Sequence, residues 1–169
     1  MLLGGRVIRN LALTAIVVDL MGRGVGDFFK HSVSCGVAMR ALAEALPGGV
    51  PVESPEEGFV YGLLHDIGKA VFAQFMAEEH ARVADAARSE GIPWHEAERA
   101  MIGGDHAELG AALAVKWKLP PELSGAVAGH HEPHRCEQPR ARRLAALVAA
   151  ADFVCHRSGI APAPGAVVV

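Results

Sequence analysis

The sequence predicts an all-α domain, a compact bundle of several helices, and three observations lead to this prediction. The 169 residues are 51% apolar and 21% charged, a composition and length typical of one folded domain and not of a disordered chain. Glycines, prolines and capping residues divide the chain into segments of helical length. No runs of alternating apolar and polar residues are joined by a hairpin turn.

Two helices are predicted in the first third of the chain. The first covers roughly residues 7–21, is almost wholly apolar, and ends at the glycines of residues 22–26. The second covers roughly residues 28–46, with Asp27 as its N-cap, and stops at a Pro-Gly-Gly sequence. Its apolar residues recur at helical spacing, which indicates one buried face.

A capping box at residues 54–57, Ser-Pro-Glu-Glu, begins a third helix. This helix runs to His65 and Asp66, and we expect Gly68 to break it before an apolar piece at residues 70–76. The remaining helices are predicted at residues 78–90, 93–103, 106–117, 121–131 and 140–156. Residues 1–159 then form one domain, and residues 160–169 form a loose tail.

Charge and apolar patterning exclude several kinds of partner. Sixteen Lys and Arg against nineteen Asp and Glu give a net charge of −3, without the basic stripe that a nucleic-acid backbone requires. The longest uncharged apolar stretches, residues 10–18 and 144–151, are well short of the ~20 residues of a membrane span. We therefore expect no nucleic-acid or membrane partner. The N-terminus lacks a signal-peptide pattern and the three cysteines lack CxxC spacing, so we expect a cytoplasmic protein.

Histidine is frequent in this chain, with nine residues, and several lie with aspartates at or near predicted helix ends. Imidazole nitrogens and carboxylate oxygens are the ligands that iron, manganese or zinc find in open catalytic sites. An adjacent His-Asp pair more often marks a helix end with the aspartate in solvent. His65 and Asp66, however, interrupt an apolar helix face, where unpaired polar groups cost free energy. Because adjacent residues lie about 100° apart on a helix, this pair could serve two neighbouring metal ions.

Six short motifs occur together: FFKHS at 28–32, GLLHDIGK at 62–69, DHAELG at 105–110, WKLP at 117–120, HHEP at 130–133 and AD at 151–152. With them the chain resembles the HD superfamily of metal-dependent phosphohydrolases, which is named for an adjacent His-Asp pair. It resembles in particular the HDOD branch, the HD-related output domains of bacterial signalling. The resemblance extends from residue 3 to about residue 157.

The resemblance implies two neighbouring metal sites, with Asp66 as the bridge between them. The implied ligands are His31, His65, Asp66 and Asp152 for the first site, and His106, His130 and His131 for the second. One or two divalent transition metals would bind, with iron or manganese favoured and zinc possible. Lys69 could hold a phosphate oxygen as a point charge. Asp27, four residues before His31, either adds a ligand or only caps its helix, and capping is the commoner role.

Three departures from the family pattern bear on function. HDOD domains commonly lack part of the ligand set and are regarded as regulatory, whereas every position is occupied here, which favours bound metal. The cyclic-dinucleotide phosphodiesterase branch carries Gly-Tyr-Pro after its His-His-Glu, and residues 131–136 read His-Glu-Pro-His-Arg-Cys, so that activity is not expected. The usual N-terminal HDOD helices are expected to be missing or encoded upstream, and an uncovered apolar face would favour a homodimer.

Two functions remain open at this point. The first is divalent-metal-dependent hydrolysis of a phosphate ester or nucleotide in bacterial signal transduction, with Asp66 and Lys69 catalytic. The alternative is a non-catalytic module that binds a nucleotide or a signalling protein in the same cleft. The expected partner is a phosphate-containing small molecule or a signalling protein. The histidines that match no motif are expected at the surface or at helix ends: His80, His95, His134 and His156.

Overall fold

The computed structural model describes residue 15 and residues 26–46 and 49–160, with only the backbone at 26 and 27. Every regular element in these ranges is helical, which confirms the all-α prediction. The elements are α1 (Gly26–Ala45), α2 (Pro55–Leu64), α3 (Ile67–Phe75), α4 (Ala77–Glu90), α5 (Trp94–Ile102), α6 (His106–Lys116), α7 (Pro121–Gly129), a 3-10 turn (Pro133–Arg135) and α8 (Pro139–Arg157). Among the described residues, no helix has the length and apolarity needed to cross a lipid bilayer.

Parts of the sequence-based predictions fall outside these ranges. The helix predicted at residues 7–21, apart from residue 15, the side chain of Asp27 and residues 161–169 are not among the described residues. Ile160, the first residue of the predicted tail, packs back on the last helix, because its backbone N–H donates to the Cys155 carbonyl at 2.9 Å.

Local sequence signals set most of the helix ends. The Ser54 hydroxyl accepts a hydrogen bond from the backbone N–H of Glu57 at 3.3 Å and so caps α2. Asp105 and Glu108 form a reciprocal capping box at the start of α6. Gly91 ends α4 with a φ of 66°, a left-handed conformation that glycine adopts without strain. These ends lie within one or two residues of the predicted positions.

The break in the third predicted helix comes earlier than the sequence indicated. His65 and Asp66 themselves form the junction between α2 and α3, and Gly68 lies inside α3. The reason for a glycine at 68 is close packing and not a break. A Cβ there would stand 2.0 Å from the carbonyl oxygen of His106, so the backbones of α3 and α6 touch at this position.

The helices pack around one main core. α1 packs against α2 and α8, α7 lies between α6 and α8, and α3 packs on α6. Gly62 brings the backbones of α2 and α1 together, since a Cβ there would lie 2.3 Å from the carbonyl oxygen of Cys35. The buried apolar side chains include Tyr61, Leu64, Ile67 and Leu144. A smaller cluster joins α4 to α5 and contains Trp94.

Candidate metal centre

All seven predicted ligands come together at one place in the fold. They are His31 in α1, His65 and Asp66 between α2 and α3, His106 at the start of α6, His130 and His131 beyond the end of α7, and Asp152 in α8. The end of α7 at Gly129, two residues before its predicted end, leaves the histidine pair outside the helix. Five of the seven are almost fully buried, with exposures of 0–2%, and only His131 and Asp152 are partly exposed.

Asp66 lies in the middle of this centre, and its two carboxylate oxygens face different partners. Oδ1 lies 3.1 Å from His106 Nε2 and 3.5 Å from His130 Nε2. Oδ2 lies 3.4 Å from His65 Nε2 and 3.8 Å from His31 Nε2. A carboxylate in this position can share its oxygens between two groups of ligands.

The first group surrounds Asp152. The Oδ1 of Asp152 lies 3.0 Å from His31 Nε2 and 3.7 Å from His65 Nε2. The Sγ of Cys35 lies 3.6 Å from His31 Nε2. The candidate ligand atoms of these four residues all lie within 4.8 Å of one another. Such spacing is compatible with one shared cation.

The second group surrounds the Oδ1 side of Asp66. The Nε2 atoms of His106 and His131 are 2.8 Å apart. With His130, these residues place four candidate ligand atoms within 4.8 Å of one another. The two groups meet at Asp66, so the described residues contain two adjoining sets of donor atoms.

Hydrogen bonds on the outer side of three rings direct their Nε2 atoms inward. His31 Nδ1 donates to the carbonyl of Ile160 at 2.8 Å, and His65 Nδ1 donates to the carbonyl of Gly62 at 2.7 Å. His130 Nδ1 donates to the carbonyl of the residue three positions earlier at 2.7 Å. Since a carbonyl only accepts, the proton of each neutral ring sits on Nδ1 and the lone pair is on Nε2. This is how proteins orient histidines that bind metals.

The inward-facing atoms include several buried groups without a hydrogen-bond partner. They are His65 Nε2, Asp66 Oδ1, His130 Nε2 and Asp152 Oδ1. Buried polar atoms are rarely left unpaired, because the desolvation cost is then not offset. Divalent transition metals at the two sets would pair these atoms, and imidazole with carboxylate is a donor set that iron, manganese and zinc accept. The residues present therefore fit a metal ion.

The two aspartates remain ionised despite their burial. For Asp66, burial favours the neutral form, but His65, Lys69 and His106 outweigh it and hold its pKa well below the usual range. For Asp152, burial is likewise outweighed by the close contacts of its carboxylate with His156, His31 and His65, which lower its pKa. Ionised carboxylates are the form that binds a cation.

The histidines divide into two kinds by their charge preference. Burial, together with its histidine neighbours, puts the pKa of His131 well below the usual value, and burial also lowers the pKa of His130. These rings are neutral and ready to act as ligands. Burial also opposes charge on His65, but the nearby carboxylates of Asp66 and Asp152 raise its pKa. A metal at His65 would therefore displace a proton.

Lys69 lies at the edge of the centre, one turn after the His-Asp pair. Its Nζ donates to Asp66 Oδ2 at 2.7 Å, and 10% of its side chain is exposed. Burial works against its charge, but Asp66 and Asp152 raise its pKa, so the ammonium persists. The ammonium group of Lys69 thus lies beside the carboxylate of Asp66.

No sequence pattern pointed to Glu98, which is fully buried in α5. Its Oε2 accepts hydrogen bonds from His106 Nδ1 at 2.5 Å and from the His106 backbone N–H at 2.9 Å. Burial and Lys69 oppose charge on His106, but Glu98 and Asp66 outweigh them and raise its pKa. No local pattern connects residues 98 and 106, because their contact depends on how α5 packs against α6.

Two of the histidines that match no motif, His95 and His156, lie at helix ends, as the prediction allowed, but they also contact the centre. His156 Nε2 lies 3.3 Å from Asp152 Oδ1, one helical turn away, so the i, i+4 spacing was the missed signal. His95 stacks on His131, with ring centroids 4.1 Å apart and planes within 13°. His80 is half-buried against the ring of Trp94, whereas His134 is exposed as predicted.

A helical domain with a His-Asp pair at a helix junction, ringed by histidines from other helices, has the organisation of the HD superfamily. The family model described as HDOD domain matches residues 1–133. The chain therefore belongs to the HDOD family, a branch of that superfamily.

Several proteins of known sequence or structure are similar to this chain. Ribonuclease Y of Aquifex aeolicus is 38% identical over 93 residues, which are 53% of this chain and 16% of that protein. An HDOD domain protein of unknown function from Geobacter sulfurreducens superposes with a TM-score of 0.79 at 27% identity, over 94% of this chain and 53% of that chain. A candidate phosphohydrolase from Shewanella amazonensis superposes with a TM-score of 0.75 at 27% identity, over 95% of this chain and 58% of that chain. This chain spans about a sixth of the length of the curated relatives.

Proposed function

We propose that this HDOD domain binds a pair of divalent transition metals and hydrolyses a phosphate ester in bacterial signalling. The observation that carries the proposal is the position of Asp66, whose two oxygens face two adjoining sets of donor atoms. Inward-facing Nε2 atoms, fixed by outer hydrogen bonds, support the same reading. The name of the Shewanella relative, a candidate phosphohydrolase, agrees with this chemistry.

The proposed ligands divide between the two sets. One ion would be held by His31, His65 and Asp152. The other ion would be held by His106, His130 and His131. Asp66 would contact both ions. Ions in such a pair polarise a phosphoryl oxygen and lower the pKa of a coordinated water. Iron or manganese would suit the nitrogen and oxygen donors, and zinc is the third choice.

The chain's own residues then have separate tasks in the reaction. Lys69, charged and close to Asp66, attracts the phosphate and offsets the negative charge that grows on its oxygens during cleavage. His131 and Asp152 are the partly exposed members of the centre, so a substrate would approach from their side. The other ligands are buried, which keeps bulk water away from the reacting phosphate.

The substrate is a phosphate-containing small molecule in this proposal. The ribonuclease Y relatives carry RNA in their name, but the chain covers only about a sixth of their length. The predicted absence of a nucleic-acid partner rests on the net charge of −3 and is tested below by an RNA substrate.

The experiment compares wild-type protein with Asp66→Asn, which keeps the shape and removes the bridging charge. Each protein is loaded with Mn²⁺ or Fe²⁺ without oxygen, freed of excess metal and assayed for metal content. Turnover is then measured with p-nitrophenyl phosphate, bis(p-nitrophenyl) phosphate, nucleotides and single-stranded RNA. Asp85→Asn is the matched control, because the Asp85 side chain is 75% exposed on α4.

We expect wild-type protein and Asp85→Asn to hold about one to two ions per chain and to cleave at least one phosphate ester. Asp66→Asn should lose both metal and turnover. Wild-type protein that takes up no metal would refute the proposal. Metal binding with ligand-dependent thermal stabilisation but no turnover would instead support the non-catalytic module.

A further inference from the structure

We propose that Glu98 is a positioning residue that fixes the ring of His106 and thereby sets the metal affinity of the second set of ligands. This inference rests on the proposed metal centre. It adds to that centre a residue that supplies no ligand atom and acts only through His106.

The contacts of Glu98 converge on a single ligand. Its carboxylate is fully buried, and Oε2 accepts from both the ring Nδ1 and the backbone N–H of His106. The bond from the backbone N–H orients His106 at the start of α6. The bond from Nδ1 orients its imidazole ring. With Nδ1 engaged, Nε2 points to Asp66 Oδ1 at 3.1 Å. Glu98 therefore fixes the direction in which His106 offers its lone pair.

Other residues of α5 hold the neighbours of this ligand. Arg99 Nε contacts Asp105 Oδ2 at 2.7 Å, and Arg99 Nη1 donates to Glu132 Oε2 at 3.2 Å. Asp105 directly precedes His106, and Glu132 directly follows His131. His95, one turn earlier on α5, stacks on His131. These polar and ring contacts of α5 thus fall on the second set of ligands or on the residues beside it.

Burial of a charged carboxylate lowers the stability of the fold. A neutral side chain could make the same structural contact without that cost. Transferring a charge from water into the interior is unfavourable unless a partner compensates it. A neutral glutamine of the same shape could still accept the backbone N–H of His106. Only the charged form also strengthens the basicity of the ring toward a cation, which is the known effect of a carboxylate behind a metal-binding histidine.

The test compares wild-type protein, Glu98→Gln and the matched control Glu96→Gln, at an exposed residue of the same helix. Metal-free samples are titrated with Mn²⁺ by calorimetry, and bound metal is counted after gel filtration. We expect two classes of site in wild type and in Glu96→Gln. In Glu98→Gln one class should keep its affinity and the other should weaken by about 10–100-fold.

A second measurement needs no added metal. In metal-free wild-type protein at alkaline pH, where the ring is neutral, nitrogen-15 NMR of the imidazoles should show the His106 proton on Nδ1. In Glu98→Gln the Nδ1 resonance should shift, while circular dichroism stays unchanged. If Glu98 served only in packing, the His106 Nδ1 resonance would not shift in Glu98→Gln.

The outcomes separate this inference from the proposed function. Wild-type protein that binds no Mn²⁺ refutes the metal centre and, with it, this inference. Normal binding by wild type combined with equal affinities in Glu98→Gln overturns the role of Glu98 alone. Equal weakening of both classes overturns it as well, and so does a His106 proton found on Nε2 in wild type.

Discussion

Replacement of Gly68 by alanine should damage both the fold and the metal centre, because α3 and α6 touch at this residue. The added Cβ would lie 2.0 Å from the carbonyl oxygen of His106 and 2.8 Å from its carbonyl carbon and Cα. Side-chain Cβ atoms essentially never approach another group closer than 3.0 Å. All three contacts are with backbone, so no side chain can rotate away, and the two helices must move apart by about 1 Å.

The size of the effect follows from this displacement. Overpacking of this kind costs about 1–3 kcal/mol, which for a domain of this size lowers the Tm by about 2–12 °C. The same movement separates Asp66 Oδ1 from His106 Nε2, now 3.1 Å apart. Metal–ligand distances in proteins stay within about 0.2 Å of their usual values. Gly68→Ala should therefore also lose metal from the second set of ligands.

Scanning calorimetry of the metal-free protein and metal content after loading provide the assay. Gly104→Ala is the control, since a Cβ there meets only the flexible end of the Glu108 side chain, at 3.1 Å. The control should match wild type in both readouts. If Gly68→Ala has the Tm and the metal content of wild type, the close approach of α3 to α6 is not what holds the His-Asp pair against His106.

Three further predictions concern stability. Ser54→Ala removes the cap of α2 and should lower the free energy of unfolding by about 1 kcal/mol; a Tm equal to that of wild type would contradict this. Leu144→Ala empties a fully buried core position and should cost about 2–5 kcal/mol in urea unfolding, with an unchanged m-value; a smaller loss would indicate that the core collapses around the cavity. The pKa of Asp66 is lowered on folding, so its stabilising contribution is present above the unfolded-state pKa of about 4 and is lost as the pH falls from there toward the folded-state pKa. Asp66→Asn should accordingly flatten the acid side of the pH–stability profile of metal-free protein, and an equally steep profile would refute the linkage.

The local features of the fold were predictable because they depend on neighbouring residues. The cap at Ser54, the capping box at Asp105 and the stop at Gly91 involve hydrogen bonds or backbone preferences within a few positions. The prediction was wrong at Gly68, where glycine usually signals a break. Its real neighbour is the backbone of His106, which lies in a different helix.

The centre shows the same division between near and distant relationships. The motifs predicted, from residue types and order, seven candidate ligands that the structure brings together. They could not identify Glu98 or the stacking of His95, since both contacts arise where α5 packs against other elements. The contact of His156 was recoverable, because this residue stands one helical turn from Asp152, but without a motif match it was assigned only to the surface or a helix end.

The amino-acid sequence by itself determined the helical class, most of the helix ends and the chemistry of the donor atoms, because these depend on composition and on residues a few positions apart. Only the tertiary structure decided which imidazole nitrogen faces inward and which oxygen of Asp66 faces which set. The ring of His31, for example, is oriented by the carbonyl of Ile160, 129 positions along the chain. Such orientations follow from how the helices pack, and short-range sequence patterns carry no record of that packing.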